Sequence, residues 1–265
     1  AYLKASQSGL SLRSLAVQAK LSSGYLPMVL SGQRILSDKA LKKLSPFLRL
    51  NPQEKSYLNY LVQLGTSDSQ EEKLSALEHM EKFKKYRDAN TREIEVHRYL
   101  TRWYYVAIRE MAALPGFKND PAWIQRKLKT PVPASEIKAA LDFLISKDYL
   151  KVQPDGTVAN PERQIDCVGG VYRLALGKFH HEMLSLASDS IENTRSAERS
   201  IQGHTFAVSP GNFDQARRIL DEAIEKIKRL SEPVTPEVSA VYHVEVALFP
   251  LTQANNTADS TRKKP

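Results

Sequence analysis

The side chains best suited to chemistry in this sequence are two adjacent histidines followed by a glutamate, His180-His181-Glu182. Imidazole and carboxylate groups bind zinc, but a zinc site on one helix needs its histidines four residues apart. Adjacent residues on a helix point about 100° apart and cannot share a ligand site in that way. We therefore interpret the pair as structural, and we predict neither a metal site nor a cofactor.

Two further candidates for catalysis are a lone cysteine and a serine-containing turn. Cys167 has Asp166 beside it, and a neighbouring carboxylate disfavours the thiolate that a nucleophilic cysteine needs. Ser209-Pro210-Gly211-Asn212 is typical of a helix cap, and the sequence contains no glycine-rich phosphate loop. The sequence therefore predicts that the protein is not an enzyme.

The most informative stretch lies between Leu10 and Ser37. Apolar residues recur there at helical spacing in two short runs, with a few small and polar residues between them. The runs consist of Leu12, Leu15, Ala16 and Ala19, and of Leu26, Val29 and Leu30. Ser31-Gly32 ends the second run as a helix stop. Two short helices across a tight turn predict a helix-turn-helix, a motif that binds DNA.

The positive charge of the chain is concentrated on the same segment. The net charge is +8, and nine basic against two acidic residues give residues 1–66 a net charge of +7. Residues 67–160 carry +2 and residues 161–265 carry −1. A basic domain attracts DNA phosphates and gains affinity through counterion release, although a basic surface can also serve solubility alone. Because charge and motif coincide, we predict double-stranded DNA as the partner.

Residues 1–66 are predicted to form a bundle of about five helices, and they resemble the repressor-like helix-turn-helix domains of the lambda repressor and Cro type. The resemblance rests on Ala16, Leu21, Ser22-Ser23-Gly24-Tyr25 and Leu30-Ser31-Gly32. In that family the first turn of the second motif helix contacts base edges, while the flanking turns hold phosphates. The resemblance therefore implies that the DNA-binding residues are Arg13, Lys20, Ser22, Ser23, Gly24, Tyr25, Met28, Ser31 and Arg34.

Alternatives remain for individual residues of this set. Tyr25 and Met28 could be ordinary surface residues, and Arg34 a solvated charge. Pro27 lies inside the second motif helix, where a proline removes a backbone donor. Ser22 or Ser23 is expected to cap that helix; with Ser23 as the cap, Pro27 falls at the fourth helical position, which is tolerable but affects the precise base contacts.

The rest of the chain is predicted to contain three further regions and a tail. Residues 67–90 are strongly charged and are expected to form an exposed connecting helix. Residues 91–160 have a winged-helix-like pattern, with helices over Thr91–Met111, Ala122–Leu128 and Pro133–Asp148, and then a hairpin. The third of these helices mixes acidic with basic residues, which favours packing or dimerisation over entry into the major groove.

The last region, residues 161–253, alternates helices and strands. Helices are predicted over Val171–Asn193 and from Pro210 to about Leu230, and strands over Thr205–Val208 and Ala240–Leu251. Two strands alone are marginally stable, so we expect a dimerisation or sensing unit that pairs with another subunit. Residues 254–265 are expected to be disordered. The predicted fold class is mainly α with small β elements (α+β).

Four arginines of this last region could bind an anionic effector, such as a small molecule or a nucleotide. They are Arg195, Arg199, Arg217 and Arg218. The motivation is size, since about 170 residues beyond a minimal DNA-binding domain need a role. The alternative is that these arginines are solvated side chains on helices.

Beyond its first domain, the chain resembles a bacterial family of uncharacterised proteins regarded as transcriptional regulators, with a C-terminal domain of unknown function. The resembling stretches are residues 99–110 (YLTRWYYVAIRE), 179–184 (FHHEML) and 248–252 (LFPLT). The likeness extends over nearly the full chain. It implies a regulator of transcription, and it brings no ligand, operator or catalytic residue.

The sequence also gives expectations about location and assembly. It has no apolar run of about 18 residues, and its start lacks the pattern of a signal peptide. A single cysteine suits a reducing compartment. We therefore expect a cytoplasmic, dimeric DNA-binding regulator that does not contact membranes. The alternative from another class is a scaffold whose helical bundle binds a protein partner.

Overall fold

The computed structural model describes residues 11–161, 169–230 and 237–253. Within these ranges the protein is mainly helical with one small antiparallel sheet, which confirms the predicted fold class at this coarse level. The residues group into two compact units, one of 11–103 with 169–179 and one of the remaining described residues. None of the described helices combines the length and apolar character needed to span a bilayer. The predicted first helix, Cys167 and the tail after residue 253 lie outside the described residues.

The N-terminal unit begins with four helices around one hydrophobic cluster. They are α1 (Leu12–Gln18), α2 (Tyr25–Leu30), α3 (Asp38–Leu44) and α4 (Pro52–Thr66), with a 3₁₀ turn at Ser45–Phe47. The first cluster is formed by the buried side chains of Leu15, Ala16, Ala19, Tyr25, Leu26, Ala40, Leu44 and Leu48. The apolar runs that predicted two short helices therefore supply half of the buried residues of this core.

Three of these helices begin at side chains that cap the backbone. The Ser11 hydroxyl accepts a hydrogen bond from the Ser14 N–H at 3.1 Å, and the Ser37 hydroxyl accepts one from the Ala40 N–H at 3.3 Å. Asn51 and Glu54 form a reciprocal capping box at the start of α4. Each of these caps depends only on residues three positions apart, so the local sequence alone indicates where the three helices begin.

The segment after α4 packs into the N-terminal unit through a second cluster. It forms α5 (Gln70–Met80) and α6 (Lys84–Ala89), and α7 (Thr91–Leu100) follows. Leu77 and Met80 are fully buried and pack with Tyr86. The prediction of an exposed connecting helix over 67–90 is therefore wrong. Charged residues dominate the segment, but its few apolar side chains find partners on α4.

Helix α4 takes part in both clusters of this unit. Leu58 packs against the first cluster, whereas Tyr57, Tyr60 and Leu64 pack against the second. The Tyr57 and Phe83 rings meet edge to face with centroids 5.3 Å apart. One helix therefore joins the predicted DNA-binding bundle to the helices that follow it.

The predicted long helix over 91–111 is two helices, α7 and α8 (Trp103–Met111). Thr101 ends α7 because both its N–H and its hydroxyl donate to the His97 carbonyl, the hydroxyl at 2.8 Å. Helices α9 (Pro121–Lys127) and α10 (Ala134–Ser146) follow close to their predicted positions. The boundary between the two units lies at residue 103, at the start of α8.

A two-stranded hairpin follows α10 in the second unit. Strands β1 (Lys151–Val152) and β2 (Val158–Ala159) pair antiparallel, with Lys151 opposite Ala159. Gly156 has φ +84° in the turn, where a side chain would be strained. The Phe143 ring of α10 stacks on Tyr149 at 5.9 Å and meets Tyr105 of α8 at 5.4 Å. Three helices and a hairpin occur here in the predicted order, and their identification as a winged helix stays a prediction.

The C-terminal part contains two long helices, α11 (Gly170–Asn193) and α12 (Pro210–Leu230). The strands predicted at 205–208 and 240–251 are not formed: neither segment has regular secondary structure, and neither pairs with another strand in the described part of the chain. In each segment two side chains two residues apart contact each other, as in an extended backbone: His204 with Phe206, and His243 with Glu245. Alternating apolar side chains favour such a backbone. They do not specify a partner strand, and for this reason the prediction of strands is wrong.

Replacing Leu77 by alanine tests the second cluster. The Leu77→Ala variant should lose about 2–5 kcal/mol of unfolding free energy, because it opens a cavity in a fully buried site. The neighbouring Leu74, which is only partly buried, is the matched control, and Leu74→Ala should cost about 1 kcal/mol. Urea unfolding of both variants provides the measurement. Equal small losses would mean that the segment is an exposed linker after all.

The buried tyrosine of the second cluster gives a prediction about alkaline pH. Burial raises the pKa of Tyr86 to about 12, and the charges of Tyr57, Glu81 and Glu93 add to the effect. Because the fold favours the neutral phenol, this stabilisation is complete below pH 10 and is lost as the pH rises through about 12. Urea unfolding at increasing pH should show a smaller alkaline loss for Tyr86→Phe than for the wild type. Identical losses would exclude this role.

Candidate nucleic-acid interface

The turn between α1 and α2 is closed by two backbone hydrogen bonds. The Leu21 N–H donates to the Ala16 carbonyl and the Lys20 N–H to the Val17 carbonyl, both at 2.9 Å. These are the two bonds of a Schellman motif, which satisfies the free carbonyls at a helix end. The motif fixes the direction in which the chain leaves α1 and begins α2.

Lys20 occupies the position of this motif that glycine usually takes. Its φ is +54°, and a left-handed conformation costs a residue with a side chain about 1–2 kcal/mol. The Lys20 carbonyl accepts a hydrogen bond from the Lys43 ammonium at 3.2 Å, which ties α3 to the turn. The Lys20 residue therefore places a cation at the turn between α1 and α2, although its left-handed backbone conformation is unfavourable.

Helix α2 begins at Tyr25, which is one residue later than a cap at Ser23 predicts and two later than a cap at Ser22 predicts. Gly24 is its N-cap, without a side-chain hydrogen bond, and the Ser22 carbonyl accepts from the Tyr25 N–H at 2.9 Å. The prediction that Ser22 or Ser23 caps the helix through its side chain is therefore wrong. Pro27 consequently lies at the third helical residue, where its missing N–H leaves no intrahelical bond unmade. The proline is compatible with an undistorted first turn.

Tyr25 was predicted to face DNA, but its side chain is only 6% exposed and belongs to the first cluster. Its hydroxyl accepts a hydrogen bond from the Ser37 N–H at 3.2 Å. The Arg34 guanidinium lies 4.8 Å from the centre of the Tyr25 ring. The base contact expected of Tyr25 is corrected accordingly: the buried ring cannot reach a base edge, and it supports Arg34 instead.

The turn after α2 is organised by one carbonyl group. The Met28 carbonyl accepts from the Gln33 N–H at 2.9 Å, the Arg34 N–H at 3.2 Å and the Ser31 hydroxyl at 3.1 Å. These bonds hold the predicted phosphate residues Ser31 and Arg34 beside the end of α2. Of the predicted set, Gly24 is half-buried, and the exposed members are Arg13, Lys20, Ser22, Ser23, Met28, Ser31 and Arg34.

Eight cations are exposed on this bundle. Besides Arg13, Lys20 and Arg34, they are Lys39, Lys42, Lys43, Arg49 and Lys55. Within the described part of the chain, none of the eight is joined to a carboxylate by an ion pair. The prediction from the motif missed the last five, although the charge count of the segment already included them. The surface is therefore rich in cations that remain accessible to an anion.

Part of the same surface is apolar. Val17, Leu30 and Ile35 are each about three-fifths exposed, at 59%, 61% and 61%, and Met28 is 40% exposed. The outward side of α2 thus offers a thioether, aliphatic groups and serine hydroxyls, while its cations lie in the flanking turns and helices. Such a surface can bind phosphates at its edges and methyl groups at its centre.

The four arginines predicted to bind an effector have other partners. Arg195 pairs with Glu198, which also accepts a hydrogen bond from Lys129 at 2.7 Å. Arg199 donates to the carbonyls of Ile191 and Thr194, and Arg218 donates to its own helix, at the Asp214 carbonyl. Of the four, Arg199 supports the backbone near the end of α11, and Arg218 supports the backbone of α12. Arg217 is an exposed side chain on α12.

A cavity of about 610 Å³ lies elsewhere, in the N-terminal unit. It opens between the start of α5 and the start of α11, where the Gln70 amide donates to the Leu174 carbonyl at 3.4 Å. Its charged lining consists of Asp68, Lys73 and Arg173. None of the predicted effector arginines contributes to it.

The histidine pair of α11 takes part in a contact with the extended C-terminal segment. His180 Nδ1 lies 2.8 Å from one oxygen of Glu245, and His243 Nε2 lies 3.0 Å from the other. The Glu245 side chain is only 13% exposed. No group of three or more metal-binding side chains with suitable geometry is found among the described residues. The contact therefore anchors residues 243–245 to α11.

Comparison with known proteins gives a family but no characterised relative. No curated protein and no solved structure matches the chain. A family model described as a domain of unknown function (DUF4423) matches residues 82–251, which is more than half of the chain and leaves the N-terminal bundle outside. The chain therefore belongs to the DUF4423 family.

Proposed function

We propose that this protein is a sequence-specific, DNA-binding regulator of transcription that acts as a dimer. It binds double-stranded DNA through the helix-turn-helix formed by α1 and α2, and it belongs to the repressor-like group that its N-terminal sequence resembles. The observation that carries the proposal is the exposure of Arg13, Lys20 and Arg34 at this helix pair, where none of the three forms an ion pair with another described residue. A carboxylate-poor basic surface gains free energy by displacing the counterions of DNA.

Each group at the helix pair has a role in this proposal. Arg13, Lys20, Ser31 and Arg34 bind phosphates, and Tyr25 holds the Arg34 guanidinium over its buried ring. Ser22, Ser23 and Met28 lie at the base edges, where hydroxyl groups bind either base and a thioether packs on the thymine methyl group. No bidentate side chain is exposed on α2, so phosphate contacts and the second copy supply most of the affinity.

A protein scaffold is the alternative, and one observation favours it. Val17, Leu30 and Ile35 are exposed apolar side chains on the same bundle. A protein partner could cover them, while the cations around them would serve solubility. A bundle that binds no DNA at low salt would favour this alternative.

Charge reversal at Arg13 and Arg34 tests the proposal. An Arg13→Glu/Arg34→Glu variant should bind DNA about a hundredfold more weakly and should lower the salt dependence of log K by about 2, because two phosphate contacts are lost. Gel-shift titration at two salt concentrations gives both values. The duplex is one selected from a random library by the wild-type protein.

The matched control carries the same charge change on the second unit. Lys118→Glu/Arg126→Glu reverses two exposed cations outside the helix pair and should bind DNA like the wild type. Equal losses of DNA affinity for both variants would mean that the change in net charge alone causes the effect. No DNA binding by the wild type at low salt would contradict the proposal.

Lys20 allows DNA binding to be separated from stability. Lys20→Gly removes the cation and also relieves the left-handed backbone, so the unfolding free energy should stay within about 1 kcal/mol of the wild-type value. DNA affinity should nevertheless fall about tenfold, through the loss of one phosphate contact. Chemical denaturation and gel-shift titration are the two measurements.

Arg49→Gly is the matched control for this substitution. Arg49 is an exposed cation with φ +46° in the same bundle, and it is not among the predicted DNA-binding residues. Its replacement should leave DNA affinity nearly unchanged. If Lys20→Gly and Arg49→Gly have equal effects on affinity, Lys20 has no special place at the interface.

A further inference from the structure

The C-terminal region exposes an unusual amount of apolar surface. Thirteen of the twenty-one large apolar side chains that are exposed in the described residues lie between Ile201 and Leu251. Side chains of this size and exposure amount to roughly 1,000 Å² of apolar surface, which exceeds the roughly 800 Å² that each partner buries in a standard interface. A surface of this extent is typical of a site that another molecule covers.

Helix α12 contributes a continuous apolar stripe to this surface. None of its residues is buried in the chain. Its apolar residues recur alternately three and four positions apart, as in the seam of a coiled coil. The stripe consists of Phe213, Ala216, Leu220, Ala223, Ile227 and Leu230, of which Leu230 is 85% exposed.

The extended segment after α12 has one anchored side and one open side. His243 and Glu245 point to the same side, because residues two apart share a face of an extended chain, and Glu245 is bound there by His180. Tyr242, Val244 and Val246 lie on the opposite side and are 71%, 46% and 41% exposed. The anchoring contact holds this segment in place while its apolar side lacks cover.

A second extended segment precedes α12. Phe206 and Val208 are exposed on one of its sides, and the His204 ring stacks on Phe206 with centroids 5.3 Å apart. This segment and the one after α12 are of similar length, about eight residues. Each chain therefore presents two segments outside the described sheet and one amphipathic helix, all from residues 201–251.

We infer that a second copy of this chain covers this surface and that the two α12 helices pack antiparallel along the apolar stripe. The stripe is complementary to itself in that orientation. Phe213 lies opposite Leu230, Ala216 opposite Ile227 and Leu220 opposite Ala223, so that the two central layers each join a small with a large side chain. The two-fold axis passes between residues 221 and 222, and the same layers recur on its other side.

The extended segments complete this assembly. Segment 201–208 of one copy lies beside segment 240–247 of the other, so that their exposed apolar side chains are covered together with the stripe. Two-fold symmetry makes this contact occur twice, because each copy contributes both segments. The inference supplies the dimer of the proposed function, and it can fail separately from DNA binding.

Sedimentation velocity of the full chain tests the interface. The wild type should be a dimer, and Ile227→Glu should raise the dissociation constant of the dimer about a hundredfold or more, because it places a charge in each of two apolar layers. Ile227 is 42% exposed in the single chain, so the variant should keep its fold, which circular dichroism checks. Gln215→Glu, a charge added on the same helix away from the stripe, should remain dimeric.

A cross-linking experiment tests the antiparallel register. Ala216→Cys and Ile227→Cys, each combined with Cys167→Ala, are treated with a short bis-maleimide singly and as a mixture. Only the mixture should form a covalent dimer, because the predicted register brings residue 216 beside residue 227 of the other copy. Identical cysteines would be about 16 Å apart along the helix axis. Cross-linking of either single variant alone would overturn this register.

Other outcomes would overturn the inference as a whole. A monomeric wild type at micromolar concentration would show that no second copy covers the stripe. A monomer that sediments with phosphatidylglycerol vesicles, and no longer does so after Ile227→Glu, would assign the stripe to a lipid surface instead. A monomer that still binds a single DNA site would leave DNA binding in place without the dimer, whereas a dimer that binds no DNA would leave the interface without the proposed function.

Discussion

The N-terminal unit depends on helix α4, because the two sides of this helix belong to two different hydrophobic clusters. Leu58 completes the core of the helix pair, while Tyr57 and Leu64 pack on the helices that follow. All three side chains are half-buried, so each contributes part of the about 1.5–3 kcal/mol that full burial of a large apolar side chain supplies. The four-helix bundle is therefore packed against the remainder of the N-terminal unit through α4. Both clusters form on the same rigid element, and neither can shift without moving α4.

Features of the fold that depend on neighbouring residues were predictable from the sequence. Ser11, Ser37 and Asn51 cap helices within three positions of themselves, so their residue types indicate where those helices begin. Features that depend on distant partners were not predictable. The few apolar residues of α5 gave no sign that α4 would cover them, and the alternation over 240–251 indicated an extended chain without naming a partner strand.

The candidate site shows the same division. Its charge followed from composition, and its location followed from two apolar runs and a turn. The roles of single side chains did not follow. Tyr25 is an aromatic residue near the start of a helix, and only the packing of Leu15 and Leu26 around it shows that it is buried. Lys20 gave no signal of its left-handed conformation, because lysine is not a residue that such positions favour.

In the proposed function, the length of α2 limits how many base pairs the protein can distinguish. Six helical residues extend about 9 Å, which corresponds to about three base pairs along the duplex. Three fully specified base pairs occur by chance about once in 64 positions, and two such half-sites about once in 4,000, whereas a genome offers about 10⁶ competing sites or more. Two copies of α2 therefore specify too few base pairs to define a single site in a genome. Unique regulation requires DNA shape, additional contacts or neighbouring bound proteins to supply the rest.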